Sequence, residues 1–193
     1  MHSHSPITAI ILAGGQSSRM GRDKGLLPFR GKMLVEYVMG AALELTKELI
    51  LVTADPAYAD FGHPCVADLY PGCGPLGGIY SGLYHSQTNR NLVLACDMPF
   101  LHHQLLENLL VGIGEEQVLL TMHNDRPEPL CSIYDRSVQA VIRAQIEKNQ
   151  LKITDTLDQL NTRRISFDRE AWFRGNEFTN LNSPEEWLQN QPN

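Results

Sequence analysis

Ile10-Ile11-Leu12-Ala13-Gly14-Gly15-Gln16-Ser17-Ser18-Arg19-Met20-Gly21-Arg22-Asp23-Lys24-Gly25 is the stretch around which the chain is organised. Thr8 to Leu12 is a short apolar run that reads as a buried strand. Gly14 and Gly15 let the backbone approach a ligand without a Cβ in the way. Gln16 to Ser18 adds main-chain N–H groups and two hydroxyls, and Arg19, Arg22 and Lys24 place three cations within six residues. A strand, a glycine bend, exposed donors and a cationic end together suit a polyphosphate. The plainer alternative is a strand-to-helix loop with some surface charge.

A Walker A loop is excluded by spacing. That motif needs four residues between its glycines, then Gly-Lys-Ser/Thr. Here five residues separate Gly15 from Gly21, and Arg22 follows. Gly25 and Gly31 also have five between them, and Met33 follows Lys32.

Outward from this stretch, strands and helices alternate for the first two-thirds of the chain. Met33 to Leu45 carries a helical stripe, and Leu49 to Val52 reads as a second strand ending at Thr53. Pro64 to Ala67 reads as a third strand, followed by Asp68. Asp68 to Gly78 contains Gly72, Gly74 and Gly77 in a G-x-G-x-x-G spacing. Tyr70-Pro71 and Pro75 spoil a dinucleotide fingerprint, so the segment reads as a second ligand loop before a helix from Gly77 to His85. A tight turn with close helix packing is the alternative. Asn91 to Ala95 is a central strand, and Asp97 lies just past its carboxyl end, where open α/β sheets bind ligands. An N-cap role for Asp97 is weakened by Pro99-Phe100-Leu101, which separate it from a helix near His102 to Val111.

Gln117 to Thr121 and Pro129 to Tyr134 read as strands around an Asn124-Asp125 turn. Ser137 to Glu147 and Ile153 to Leu160 read as helices, and Arg163 to Ser166 as an edge strand. Near the end, Ser183, Pro184 and Glu186 read as a capping box for a final helix, which leaves Asn180 and Asn182 without a local explanation. The pattern predicts one α/β domain over residues 1–193, a mainly parallel central sheet with helices on both faces.

The composition narrows the class. The chain has 193 residues, 42% of them hydrophobic, and a formal net charge of −6. That length can bury a sizeable core, and the acidic balance argues against a nucleic-acid surface. Cys65, Cys73, Cys96 and Cys131 form no C-x-x-C pair and read as free thiols in a reducing compartment. There is no signal-peptide pattern and no run long enough to cross a membrane, so the expected location is cytoplasmic. His2 and His4 read as part of a frayed terminus, and no histidine is given a catalytic role.

The opening stretch resembles the nucleotidyltransferase signature L-A-G-G-x-S-x-R-M-G-x-D-K, in the form of the molybdenum cofactor guanylyltransferase (MobA-like) family. Asp68…Gly74-Pro75-Leu76, Arg126-Pro127-Glu128-Pro129-Leu130 and Asn180-Leu181-Asn182-Ser183-Pro184-Glu185-Glu186 resemble later family segments, in the family order. The resemblance covers nearly the whole chain and implies a three-layer Rossmann-like nucleotidyltransferase fold. Its N-terminal part would bind nucleotide, and its C-terminal part would contribute to the acceptor site.

The resemblance also implies an activity: transfer of GMP from GTP to the phosphate of molybdenum-bound molybdopterin, releasing pyrophosphate. Arg19, Lys24 and Asp97 would be catalytic, with Asp97 holding Mg²⁺ as the cofactor. Leu12, Ala13, Gly14, Gly15, Ser17, Lys24, Thr53, Asp68 and Asp97 would bind nucleotide, and Asn180 and Asn182 the acceptor. Thr53 stands where close relatives often carry asparagine. Implied partners are GTP, the molybdenum-bound pterin and, transiently, cofactor-insertion proteins or apoenzymes, with no nucleic acid and no membrane. Alternatives are a cytidylyltransferase on the same pterin, a sugar-phosphate nucleotidyltransferase, or a non-enzymatic carrier of nucleotide or pterin. The family's cytidylyl branch has alanine where this chain has Gly14, which points to GTP.

Overall fold

The computed structural model of the chain describes residues 6–14 and 23–181. The segment 15–22, with Gly15, Ser17, Arg19 and Arg22, lies outside the described residues, as do His2, His4, Asn182 and the capping box at Ser183.

The elements follow in chain order. Strand β1 (Ile7–Leu12) is followed by a 3-10 turn at Lys24–Leu26 and a small hairpin of β2 (Pro28–Phe29) and β3 (Lys32–Met33). Next come α1 (Leu34–Leu43), β4 (Glu48–Val52), a 3-10 turn at Pro56–Phe61 and β5 (Cys65–Val66). Then follow α2 (Gly74–His85), β6 (Arg90–Ala95), α3 (His103–Val111), β7 (Val118–His123) and β8 (Arg126–Asp135). The last are α4 (Gln139–Glu147), α5 (Ile153–Leu157) and β9 (Thr162–Ser166). Among the described residues, seven strands form one sheet in the order β5-β4-β1-β6-β8-β7-β9. Only β8 runs against its neighbours β6 and β7; the other pairings are parallel.

Strand β1 sits inside the sheet, between β4 and β6, because it is apolar on both faces. Ile7, Ala9 and Ile11 join one core with Val35 and Val38 of α1 and Leu105, Leu106 and Leu109 of α3. Ile10 and Leu12 join the opposite core with Leu76, Ile79 and Leu83 of α2 and Ile142 and Ile146 of α4. A period-2 pleat thus sends alternate residues of one run to two helical layers. The face of α4 carrying Ile142 and Ile146, with Val138 just before the helix, is spent on this core.

Helix α2 lies close on β1 because glycines face the strand. A Cβ at Gly78 would come within 3.2 Å of Leu12, and one at Gly82 within 2.2 Å of Ile10 Cγ2. Ile10 is β-branched and fully buried, so it has little room to move aside. Gly82→Ala is therefore expected to lower stability by about 1–2 kcal/mol, overpacking outweighing the better helix propensity of alanine. Urea denaturation checks this; an unchanged or raised midpoint would mean that α2 lifts off β1 without loss.

Several boundaries move from the sequence-based expectation. Helix α2 begins at Gly74, three residues before the expected Gly77, because Pro75 falls in its first turn. A missing N–H costs nothing there, so the proline starts the helix rather than breaking the segment. Strand β8 begins at Arg126 and not at Pro129. Its pairing with β6 ends at Leu94 opposite Cys131, whereas its pairing with β7 continues out to Arg126. Pro127 therefore lies in an overhang bonded on one side, and Pro129 in the register break opposite Leu119 to Thr121, both places where a strand tolerates proline. Asn124 and Asp125 make the predicted turn with φ of 48° and 61°, the left-handed pair of a two-residue hairpin. Helix α5 stops at Leu157 rather than Leu160.

Candidate active site

The carboxyl ends of β4, β1 and β6 lie side by side, and the candidate residues stand at their ends. The Ala13 amide donates to the Val52 carbonyl at 3.0 Å, and the Cys96 amide donates to the Leu12 carbonyl at 3.2 Å. These bonds close the ladders, so Gly14, Thr53 and Asp97 follow on adjacent strand ends. Gly14 is exposed; Leu12 is buried against Gly78, and Ala13 is buried in the core.

Asp97 and Lys24 meet here. The Lys24 ammonium lies 3.5 Å from Asp97 Oδ2, and the aspartate side chain is only 12% exposed. Burial raises the Asp97 carboxyl above its ordinary value of 3.8, while the Lys24 ammonium pulls it back down. Asp97 does not cap the following helix. That place is taken by His102, whose Nδ1 accepts from the Leu105 amide at 3.4 Å.

Thr53 and Asp68 are both engaged with the backbone. The Thr53 amide donates to the Val66 carbonyl at 2.8 Å, and its hydroxyl accepts from the Asp55 amide at 3.1 Å. Asp68 Oδ1 accepts from the Tyr70 amide and the Ser81 hydroxyl, each at 2.9 Å. A Cβ at Gly77 would fall 2.6 Å from the Tyr70 carbonyl and 2.9 Å from Asp68 Oδ2. Gly77 thus serves close packing of α2 on the Asp68 turn, the alternative weighed for that glycine loop.

The chain after β9 returns to this edge. His102 Nε2 and Glu177 Oε1 lie 3.1 Å apart, and His123 Nδ1 and Asp168 Oδ1 lie 2.6 Å apart. Phe173 and Phe178 pack on the His123 ring, and Trp172 on the His102 ring. This anchoring carries Leu181 over the end of β6, where its amide donates to the Asp97 carbonyl at 3.1 Å. Asn180, its side-chain oxygen buried, directly precedes Leu181 in this segment.

Among the described residues, no cluster of three or more His, Cys, Asp or Glu has metal-holding geometry. A single buried carboxylate still fits Mg²⁺, which binds one or two carboxylates together with substrate phosphates and retained waters. The arrangement is a buried carboxylate with a cation beside it and an exposed glycine at the next strand end, which could receive an anionic substrate. Sequence reasoning did not single out Tyr58, whose hydroxyl donates to Asp23 Oδ1, or Cys96, buried beside them. A lone tyrosine in a connecting loop carries no periodic signal, and only the motif position of Asp23 hinted at it.

Known proteins resemble this chain over most of its length. Residues 9–162 match the family described as MobA-like NTP transferase domain. A probable molybdenum cofactor guanylyltransferase of Flavobacterium johnsoniae is 35% identical, over 93% of this chain and 94% of that protein. A molybdenum cofactor guanylyltransferase of Vibrio parahaemolyticus is 34% identical, over 93% of this chain and 92% of that protein. The crystal structure of molybdopterin-guanine dinucleotide biosynthesis protein A from Archaeoglobus fulgidus superposes with a TM-score of 0.79 at 26% identity. That match covers 94% of this chain and 95% of that one.

Proposed function

The chain belongs to the MobA-like NTP transferase family, and on that footing we propose that it transfers GMP from GTP to the phosphate of molybdenum-bound molybdopterin. An oxygen of the pterin phosphate attacks the α-phosphorus of GTP, the bond to the bridging oxygen breaks, and pyrophosphate leaves. The product is the molybdopterin guanine dinucleotide form of the cofactor. The observation that carries the reading is the Lys24–Asp97 pair, at 3.5 Å, on the strand-end edge next to exposed Gly14.

In this reading Gly14 admits the guanine edge, and Ala13 and Gly14 carry the first carbonyls past the ladder. Thr53 and Asp68 flank the ribose. Gly15, Ser17 and Arg19 hold the triphosphate, and Lys24 offsets charge gathering on the leaving pyrophosphate. Asn180 and Asn182 orient the acceptor. Asp97 would hold Mg²⁺, which supplies charge neutralisation and a template for in-line displacement when bound. No protein nucleophile is needed, since the acceptor's own phosphate attacks. The whole chain, 1–193, acts as one nucleotidyltransferase domain in this reading. No helix among the described residues is long and apolar enough to cross a membrane, and we place the work in the cytoplasm with the cofactor-insertion proteins or apoenzymes that would receive the product.

The test is pyrophosphate release with GTP, CTP and ATP, each with and without the molybdenum-loaded pterin, and with and without a chelator. Release with GTP that needs both pterin and divalent metal is expected. A preference for CTP would overturn the guanylyl assignment, and binding of GTP without release would favour a carrier.

Gly14→Ala probes the base. A Cβ there would lie 3.6 Å from the Val52 carbonyl and 3.7 Å from Thr53 Cα, ordinary contact distances. The fold should therefore accept the methyl group, and its cost should fall on the ligand. The ratio of kcat/KM for GTP over CTP is expected to drop about tenfold, with the melting temperature nearly unchanged. An unaltered ratio would remove Gly14 from the base site.

A further inference from the structure

We infer that Tyr58 is a positioning residue for Lys24: its hydroxyl, bonded to Asp23, holds the Lys24–Leu26 turn where the ammonium reaches Asp97. This rests on the function proposed above, because it assigns Lys24 to the transfer step.

The turn has few means of its own to stay in place. It is a three-residue 3-10 segment whose N-cap is Asp23, and Asp23 Oδ1 accepts from the Gly25 amide at 2.9 Å. The same oxygen accepts the Tyr58 hydroxyl. One carboxylate atom thus ties the turn both to itself and to a side chain 35 residues away.

Tyr58 is a firm anchor. It is fully buried, and its ring packs on Phe61 at 5.8 Å between centroids. It sits on the 3-10 turn Pro56–Phe61, whose cap Asp55 accepts from the Ala57 amide at 2.9 Å and which closes at Gly62 with φ of 73°. The Asp55 amide in turn donates to the Thr53 hydroxyl. Bonds therefore run from Thr53, at the end of β4, through Asp55 and Tyr58 to Asp23, and so to the turn that presents Lys24. A buried phenol needs an acceptor, and a phenylalanine would have filled the same core space without one. The hydroxyl is therefore the part that the packing alone does not call for.

Gly25 shows how closely the two pieces meet. A Cβ on it would lie 2.2 Å from the Tyr58 hydroxyl and 3.2 Å from Cys96. The turn is pressed onto Tyr58 and onto the residue next to Asp97 at once. Lysine has a long, rotamer-rich stem, so locating its ammonium begins with locating its backbone. A contact on the leaving pyrophosphate grows with the charge that develops there, and losing its alignment lowers kcat more than binding.

Tyr58→Phe keeps the ring and removes the bond. Expected are a fall in kcat of about tenfold or more with the KM for GTP nearly unchanged, and faster hydrogen exchange at the Gly25 amide but not in β1 or β6. Asp23→Ala should do the same. Asp23→Asn keeps an oxygen that accepts from both Tyr58 and Gly25, and it should recover most of the loss. In the Lys24→Ala background, Tyr58→Phe should add little, since both changes remove one contribution. Unchanged kcat and unchanged Gly25 exchange overturn the inference. So does an equal loss of GTP affinity, kcat and melting temperature, which marks general damage. The exchange measurement needs no turnover: wild-type protein without pyrophosphate release, but with a Gly25 amide freed by Tyr58→Phe, would sink the function and keep Tyr58 as the anchor of the turn.

Discussion

Asp97→Asn is expected to abolish pyrophosphate release, a fall of about a thousandfold, while the protein keeps its fold. The amide keeps the shape of the carboxylate but not the charge that would anchor Mg²⁺. The same variant should be at least as stable as wild type at neutral pH in the absence of substrate. Burial raises the Asp97 carboxyl above 3.8 and outweighs the opposing pull of Lys24, so the folded protein tolerates the protonated form better than the ionised one. Well below 3.8 both states bind the proton, and wild type is at its best relative to the amide. As pH rises from there through the raised folded-state value, wild type loses stability relative to the variant, and above that value the gap is constant. Thermal melts of the two proteins between about pH 3 and pH 8 check the sign. A gap that opens the other way would mean that the Lys24 pair, and not burial, governs this carboxylate. Near-wild-type turnover in Mg²⁺ would remove Asp97 from the metal site.

Lys24→Ala is expected to slow transfer about a hundredfold, roughly 3 kcal/mol, while weakening GTP binding much less. In the proposed transfer the ammonium would strengthen its contact as the pyrophosphate takes up charge, so its effect would belong to the transition state. Single-turnover rates and equilibrium GTP binding separate the two effects. A variant that loses affinity with kcat intact would move Lys24 from the leaving group to ground-state binding. Removing Lys24 also leaves the buried Asp97 carboxylate without its ammonium, so the variant should lose stability at neutral pH. That loss should fade as pH falls and the carboxylate takes up its proton.

Much of the scaffold could be read from local pattern. The unbroken apolar runs at β1 and β6 marked strands buried on both faces, and the long signature ending in Asp23-Lys24 marked the family. Asn124-Asp125 marked its hairpin because only a few residue types accept two left-handed φ values in succession. The starts of α2 at Gly74 and of β8 at Arg126 lie before the expected Gly77 and Pro129 for one reason. The effect of a proline depends on the hydrogen bonds around it, and those depend on whether it stands in a first helical turn or at a break in a strand's register.

The sequence by itself determined which residue types and which strand ends were available: glycine at 14, an ammonium at 24 and a carboxylate at 97. Pleat, helix period and turn chemistry are short-range, so each of these could be placed on its own element. Only the tertiary structure decided that they meet. The order β4-β1-β6 puts three chain-distant strand ends on one edge, and the bond from Leu181 to Asp97 returns the C-terminal segment to it. Tyr58 reaches Asp23 across 35 residues for the same reason. Strand order is set by which buried faces the helices can cover together, a property of the whole core that no window of neighbouring residues contains.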